Sequence, residues 1–280
     1  MQPTKSFIRK RLKDLYPAEE IESFIKLILE NCLNVSRTNL VMMHDVQISA
    51  AKLIEIEQIV NRLAEYEPIQ YILGKTSFLG SDFKVSPDVL IPRPETEELV
   101  EWMLKEHTTG QRILDIGTGS GCIPVSLALT GHFSEVEAFD ISEGALAVAA
   151  QNAELNQVNI RYSKVDILRW DEYCFDREWD IVVSNPPYVT YAEKDLMFKN
   201  VVEYEPHLAL FVENNDPLLF YREIALFANK YLVPGGLLFF EINEQYGAEI
   251  GRLLEKLHYS SVIIRKDLSG KDRMIKAVKN

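Results

Sequence analysis

The feature that most constrains this chain is the run Ile113-Leu114-Asp115-Ile116, followed at once by Gly117-Thr118-Gly119-Ser120-Gly121 and then by a helix-compatible stretch from Cys122 to Leu129. A short strand that feeds through a glycine-rich turn straight into a helix is the start of a βαβ unit, and such units build a parallel sheet with helices over its faces. Pro124 agrees with this reading, because the first turn of a helix does not miss an amide donor. The rhythm continues: strand at 136–139, helix at 142–156 with Ser142 as its N-cap, then strands at 160–165 and 181–183. A helix at 218–230, a strand at 237–240 and a helix at 246–257 follow. Segments 262–265 and 274–278 are joined by Ser269-Gly270-Lys271, a turn too short for a parallel crossover, so they must run antiparallel. The expected fold class is α/β: a doubly wound, seven-stranded, mostly parallel sheet with an antiparallel edge.

Residues before this region read differently. Ile21, Phe24, Ile25, Ile28 and Leu29 repeat at helical spacing after Pro17-Ala18-Glu19-Glu20, and Leu53, Ile56, Ile59, Val60 and Leu63 do so again, up to a stop near Pro68. No glycine occurs before Gly74. The expected organisation is a small helical bundle over 1–75, a β-hairpin linker over 76–92 punctuated by Gly80 and Pro87, and a catalytic domain over 93–280. The first 75 residues carry equal numbers of basic and acidic side chains, so the formal net charge of −12 lies wholly in the remainder. That acidity suits a cationic cofactor or basic partner and opposes a phosphate backbone, although acidity for solubility alone accounts for it equally well. No apolar run reaches the ~20 residues of a membrane span. Residues 1–13 lack a secretory h-region, and Cys32, Cys122 and Cys174 form no C-x-x-C pair, so reduced thiols and the cytoplasm are expected.

The glycine turn is the first candidate site. Missing β-carbons let a ligand approach the backbone of Gly117, Thr118, Gly119, Ser120 and Gly121. Asp140 ends the next strand about 20 residues later, where a carboxylate accepts hydrogen bonds from ribose hydroxyls. The dinucleotide pattern would need glycine at 122, which is Cys122, and no lysine follows Gly121 as in a phosphate-binding loop. A nucleoside without phosphates fits better, and S-adenosyl-L-methionine is the common one. Asp166 and Ile167, ending the third strand, fall where adenine projects, although a plain strand-end turn accounts for them as well. Asp115 either caps or orders the glycine loop.

The second candidate site is Ser184-Asn185-Pro186-Pro187-Tyr188, directly after the apolar run Ile181-Val182-Val183. Open α/β sheets bind ligands outside carboxyl strand ends. Two prolines fix the backbone there and remove two amide donors while leaving their carbonyls free to accept. A rigid, uncharged acceptor cluster suits a substrate that brings N–H groups: an amino-group site.

With both sites in view, the chain resembles the class I, Rossmann-like S-adenosylmethionine-dependent methyltransferases. More narrowly, it resembles the glutamine methyltransferases of peptide chain release factors, the PrmC/HemK family. The resemblance runs through 68–74, 90–97, 113–123, Asp140-Ile141-Ser142, Asn152-Ala153, 184–188, Glu205-Pro206 and 266–273. The Asn-Pro-Pro-Tyr tetrad alone is shared with DNA amino-methylases; Arg93-Pro94-Glu95-Thr96-Glu97 and the helical N-terminus narrow it. The resemblance implies methyl transfer to the side-chain nitrogen of the Gln in a Gly-Gly-Gln loop of release factors. It implies that Asn185 and Pro186 accept the amide N–H bonds and that Pro187 holds the turn. It also implies that Tyr188 packs flat on substrate or cofactor, and that Asn185 adjoins the cofactor. The alternative is a DNA adenine or cytosine amino-methyltransferase, which should carry a basic cleft; direct DNA binding and membrane association are not expected. The N-terminal bundle is expected to recognise the release factor. Arg93 either faces substrate or pairs with Glu95 or Glu97, and Thr96 reads as a helix N-cap. His44, His107, His132, His207 and His258 show no ligand spacing, so no metal is expected. The chain departs from the family pattern at Asn243, where glycine is frequent, and at Ile167, where some members carry an aromatic.

Overall fold

The computed structural model describes residues 1–42 and 47–280, which divide into two compact units: Met1–Gly74 with Phe198–Tyr204, and Lys75–Met197 with Glu205–Asn280. No described helix is long and apolar enough to cross a membrane.

The first unit is helical: α1 (Gln2–Leu12), α2 (Ala18–Leu33), α3 (Arg37–Met42), α4 (Ala50–Ala64), α5 (Ile69–Leu73) and, from far along the chain, α9 (Lys199–Tyr204). The 3.6-residue spacing of Ile21, Phe24, Ile25, Ile28 and Leu29 puts all five on one buried face, against Ile8, Leu12, Ile56, Val60 and Leu63. Pro68 does end the region of the second long helix, but α5 begins directly behind it, a short helix the periodicity did not announce.

The second unit opens with a hairpin of β1 (Lys75–Phe78) and β2 (Ser81–Lys84). This hairpin is tighter than the expected one, turning at Leu79 and Gly80, and Pro87 falls in the irregular segment beyond it. Then come α6 (Pro94–Glu106), β3 (Arg112–Ile116), α7 (Cys122–Leu129), β4 (Glu135–Asp140), α8 (Glu143–Leu155), β5 (Arg161–Lys164) and β6 (Trp179–Ser184). Two short strands, β7 (Val189–Thr190) and β8 (Phe211–Val212), pair in parallel around α10 (His207–Leu210). The chain finishes with α11 (Leu219–Tyr231), β9 (Leu232–Glu241), α12 (Gly247–Lys256), β10 (Tyr259–Lys266) and β11 (Asp272–Lys279).

Seven strands form one sheet in the order β10-β11-β9-β6-β3-β4-β5. Pairing is parallel from β9 through β5, and β11 is antiparallel to both neighbours, so the doubly wound sheet with an antiparallel edge is observed. The apolar strand runs explain the layering. Alternate residues Leu114, Val182, Leu238 and Phe240 pack with α11 and α12 on one face. Ile113, Ile181, Val183 and Phe239 pack with α6, α7 and α8 on the other. Full burial of each such side chain contributes about 1.5–3 kcal/mol. The strand order reverses between β3 and β6, and the carboxyl ends of those two strands therefore flank the crevice where such folds take ligands.

Candidate active site

A cavity of about 240 Å³ lies at that crevice. Its wall brings together Gly117, Thr118, Gly119 and Ser120 after β3, Asp140 at the end of β4, Asp166 and Ile167 after β5, and Asn185, Pro186 and Pro187 after β6. Both sequence-derived sites thus share one cavity. Ser184 locks the two strand ends together, its hydroxyl donating to the Ile116 carbonyl at 2.6 Å.

The glycine turn owes its shape to internal hydrogen bonds. The amides of Gly117 and Thr118 both donate to the Phe139 carbonyl, Gly119 donates to Asp140 Oδ2 at 2.9 Å, and Gly121 donates to the Thr118 carbonyl. Four of its five amides are therefore spent inside the protein. The loop offers a ligand close backbone approach, and nothing stands within 4 Å of a β-carbon placed on Gly117 or Gly119. Gly121 does not line the cavity; a β-carbon there would meet Ala149 Cβ at 3.0 Å, so its place is in packing α7 on α8. Asn152, a polar residue on the buried face of α8, steadies the same loop. Its Nδ2 donates to the carbonyls of Ser120 at 2.8 Å and Lys84 at 2.9 Å, and its Oδ1 accepts from the Lys84 amide. An asparagine in line with Ala145, Val148 and Ala149 was the sequence signal for it.

Asp140 accepts from the Ser142 amide through Oδ1 as well as from Gly119 through Oδ2. Each oxygen keeps a further lone pair for a ligand hydroxyl. Burial holds this carboxyl above the ordinary range, opposed by those two amides. Asp115, directly before the turn, is fully buried, and burial pushes its carboxyl up to about 7, outweighing the Thr118 hydroxyl. Asp166 lines the cavity while capping the 3₁₀ turn that follows, accepting from the Leu168 amide.

Around the tetrad the structure differs from the sequence expectation in three places. Thr96 is not the N-cap of α6: Pro94 starts the helix one turn earlier with Arg93 at the cap position. The Thr96 hydroxyl instead donates to Glu241 Oε2 at 2.6 Å, and its oxygen accepts from Asn185 Nδ2 at 3.2 Å. Tyr188 does not face the cavity; it packs against the core, and its hydroxyl donates to Glu241 Oε1 at 3.0 Å. Burial holds the Tyr188 phenol far above its ordinary range, so it remains a donor. Arg93 pairs with Glu205 at 2.6 Å rather than with Glu95 or Glu97, and Glu205 also accepts the Ile91 amide. Asn243, the departure from the family pattern, donates to the Tyr188 carbonyl at 3.2 Å and to Glu193. Sequence reasoning assigned no role to Glu241, nor to Glu205, which it named only within the family resemblance; a carboxylate closing the apolar run Leu237-Leu238-Phe239-Phe240 was the available signal for the first.

The cavity wall suits a cationic nucleoside. Among the described residues its carboxylates are Asp88, Asp140 and Asp166, and its one cation, Arg93, is already paired with Glu205. Ile141, Ile167 and Phe220 supply apolar surface for a base. A pyrophosphate would find no unpaired cation there. Among the described residues no three His, Cys, Asp or Glu side chains converge to hold a metal; His44 lies outside the described residues.

Comparison with known proteins agrees with this chemistry. Residues 94–206 match the family model described as methyltransferase small domain, and residues 6–74 match PrmC N-terminal domain. The chain is 48% identical to a release factor glutamine methyltransferase of Flavobacterium psychrophilum over 95% of this chain and 94% of that one. It is 46% identical to the protein of the same name from Bacteroides thetaiotaomicron, over 99% of both. In fold it is similar to a methyltransferase of Pyrococcus furiosus, with a TM-score of 0.53 at 22% identity over 73% of this chain and 91% of the other.

Proposed function

The chain belongs to the release factor glutamine methyltransferase family, and from that premise we propose that it methylates the side-chain nitrogen of the glutamine in the Gly-Gly-Gln loop of peptide chain release factors. The observation that carries the reading is the shared cavity: Asn185 and Pro186 stand on the same wall as the glycine turn and Asp140.

Gly117, Thr118, Gly119, Ser120 and Asp140, with Asp166 and Ile167 beside them, would hold S-adenosyl-L-methionine, which would supply a sulfonium methyl group. A carboxamide nitrogen is a poor nucleophile because its lone pair is delocalised into the carbonyl. The Asn185 side-chain oxygen and the Pro186 carbonyl each accept one N–H of the substrate amide, which fixes the nitrogen in place and stabilises positive charge as it grows there. Asn185 Nδ2 is engaged by Thr96, which leaves Oδ1 as the acceptor for substrate. Proline at 186 and 187 keeps the loop from adjusting, so the geometry is set before substrate arrives. A neutral acceptor suits the task better than a carboxylate, which would pair with the sulfonium. The leaving group that this cofactor would supply is a neutral thioether, so the chain would need no general acid.

The helical unit Met1–Gly74 serves release-factor recognition, since a Gly-Gly-Gln tip carries little specificity of its own. An acidic cavity wall argues against a nucleic-acid substrate, and action on release factors fits a cytoplasmic protein. The test is Asn185→Ala: affinity for S-adenosylmethionine persists while turnover on release factor falls by about two to three orders of magnitude. Undiminished turnover sinks the assignment.

A further inference from the structure

We propose that Thr96 and Glu241 form a buried hydrogen-bond relay that fixes which end of the Asn185 amide faces the substrate, making both positioning residues for methyl transfer. The inference rests on the reading of Asn185 given above and adds how that side chain is oriented.

An asparagine amide has two nearly isosteric ends of opposite polarity. One accepts and the other donates, and rotation by half a turn exchanges them at almost no steric cost. A substrate amide that presents N–H groups is held by the oxygen and repelled by the nitrogen. The orientation therefore decides whether the site is complete, and nothing in the Asn-Pro-Pro sequence itself sets it.

Polarity is set from behind. Glu241, at the end of β9, is 1% exposed, and as a carboxylate it can only accept. Its Oε1 takes the Tyr188 hydroxyl at 3.0 Å and its Oε2 takes the Thr96 hydroxyl at 2.6 Å. Thr96 has one proton to give, and that proton goes to Glu241. Its oxygen can then serve Asn185 only as an acceptor, so the 3.2 Å contact must be made by Asn185 Nδ2. Oδ1 is left for the substrate. Reversing the amide would set two acceptors, Thr96 Oγ1 and Asn185 Oδ1, against each other with no proton between them. With Glu241 charged, the polarity follows from connectivity, because an acceptor without protons at the root of the chain leaves one consistent assignment of protons.

The arrangement also explains the placement of Thr96. The residue lies in the first turn of α6, so its backbone is held by a helix, and its buried hydroxyl sits between Asn185, just beyond β6, and Glu241, at the end of β9. A branched side chain with one strongly limited rotamer set delivers its hydroxyl where both partners need it. Burial raises the Glu241 carboxyl above its ordinary range; the Thr96 and Tyr188 hydroxyls, and Arg273 with its guanidinium bonded to Asp267 at 3.2 Å, oppose that shift and favour the charged form.

The experiment compares Thr96→Val, Thr96→Ser, Glu241→Gln and Asn185→Ala in the full chain. Readouts are kcat and KM on release factor, S-adenosylmethionine affinity by calorimetry, and thermal unfolding. Thr96→Val keeps the shape and removes the hydroxyl; kcat falls by about tenfold or more, while cofactor affinity stays within about twofold. Thr96→Ser, which keeps the hydroxyl, restores kcat to within a few-fold of wild type. Glu241→Gln retains the shape but lets the proton chain run either way, and kcat falls although Thr96 is intact. Wild-type kcat in Thr96→Val overturns the relay, as does a Thr96→Ser enzyme equally impaired. A loss confined to cofactor affinity or to unfolding temperature assigns Thr96 a merely structural role and also overturns it. Asn185→Ala separates the two levels: if it retains turnover, the reading of Asn185 falls, whereas collapse there with wild-type Thr96→Val removes the relay alone.

Discussion

The glycine turn gives a paired prediction, because Gly119 and Gly121 differ by two positions yet face different surroundings. Both sit at positive φ, +53° and +77°. Alanine at either position pays roughly 1–2 kcal/mol for the left-handed backbone, offset by about 0.4–1 kcal/mol from a less flexible unfolded chain. Net, Gly119→Ala costs the fold about 1 kcal/mol or less. No protein atom lies within 4 Å of the added methyl, which projects beside the cavity. Gly121→Ala instead drives its methyl to 3.0 Å from Ala149 Cβ and 3.2 Å from Ala149 Cα. The second of these is helix backbone, which cannot rotate away, so α8 must shift, adding about 1–3 kcal/mol of overpacking. The expected outcomes therefore separate. In urea denaturation without cofactor, Gly121→Ala loses about 2–4 kcal/mol and Gly119→Ala about 1 kcal/mol or less. In calorimetry with S-adenosylmethionine, Gly119→Ala weakens binding by at least about tenfold, on the order of 1.4 kcal/mol. Wild-type cofactor affinity in Gly119→Ala refutes the claim that the cofactor approaches the backbone there. Equal stability losses in the two variants refute the packing argument.

Three further outcomes follow from the geometry. Asp115 carries a folded-state pKa of about 7 against an ordinary 3.8, so between those values the folded chain holds a proton the unfolded chain has lost. Stability without cofactor therefore falls as pH rises through that window, by on the order of 4 kcal/mol at 1.36 kcal/mol per unit. Asp115→Asn flattens this slope, read as urea midpoints at about pH 5 and about pH 8; an unchanged slope refutes the assignment. Glu205→Ala strands Arg93 and the Ile91 amide beside the cavity and costs about 2 kcal/mol by urea denaturation, discounted for the partial exposure of Arg93. Removing residues 1–74 raises KM for intact release factor far more than for a short Gly-Gly-Gln peptide; equal losses on both contradict the recognition role of that unit.

What the sequence made legible were features decided within a few residues of chain. Ser142 caps α8, its hydroxyl accepting from the Ala145 amide at 3.2 Å, because N-capping needs only local geometry. The alternation of Ile113 with Leu114, and of Ile181 with Val182, announced strands buried on both faces, and the short Ser269-Gly270-Lys271 turn announced the antiparallel edge. Thr96 was misread for the complementary reason. Cap preference favoured Thr96 before Glu97, but the hydroxyl is claimed by Glu241, which is 145 residues distant in sequence. Tyr188 was misplaced likewise, since adjacency to Asn185 says nothing about which way a phenol turns once a buried carboxylate is within reach. The segment Phe198–Tyr204 joins the helical unit across a long stretch of unrelated chain, with no composition signal to mark it.

Strand order supplies what local reading lacks. β6 and β9 are parallel neighbours with Ser184 opposite Phe240, so the next residue on each strand end brings Asn185 beside Glu241. Any doubly wound sheet that places those strands side by side in that register must set the carboxylate behind the tetrad. The buried acid is therefore a consequence of topology acting on two strand ends. An acidic residue that closes an apolar strand next to an Asn-Pro loop is a feature to seek wherever a neutral amide must be held in one orientation, because only an acceptor without protons removes the ambiguity of the amide.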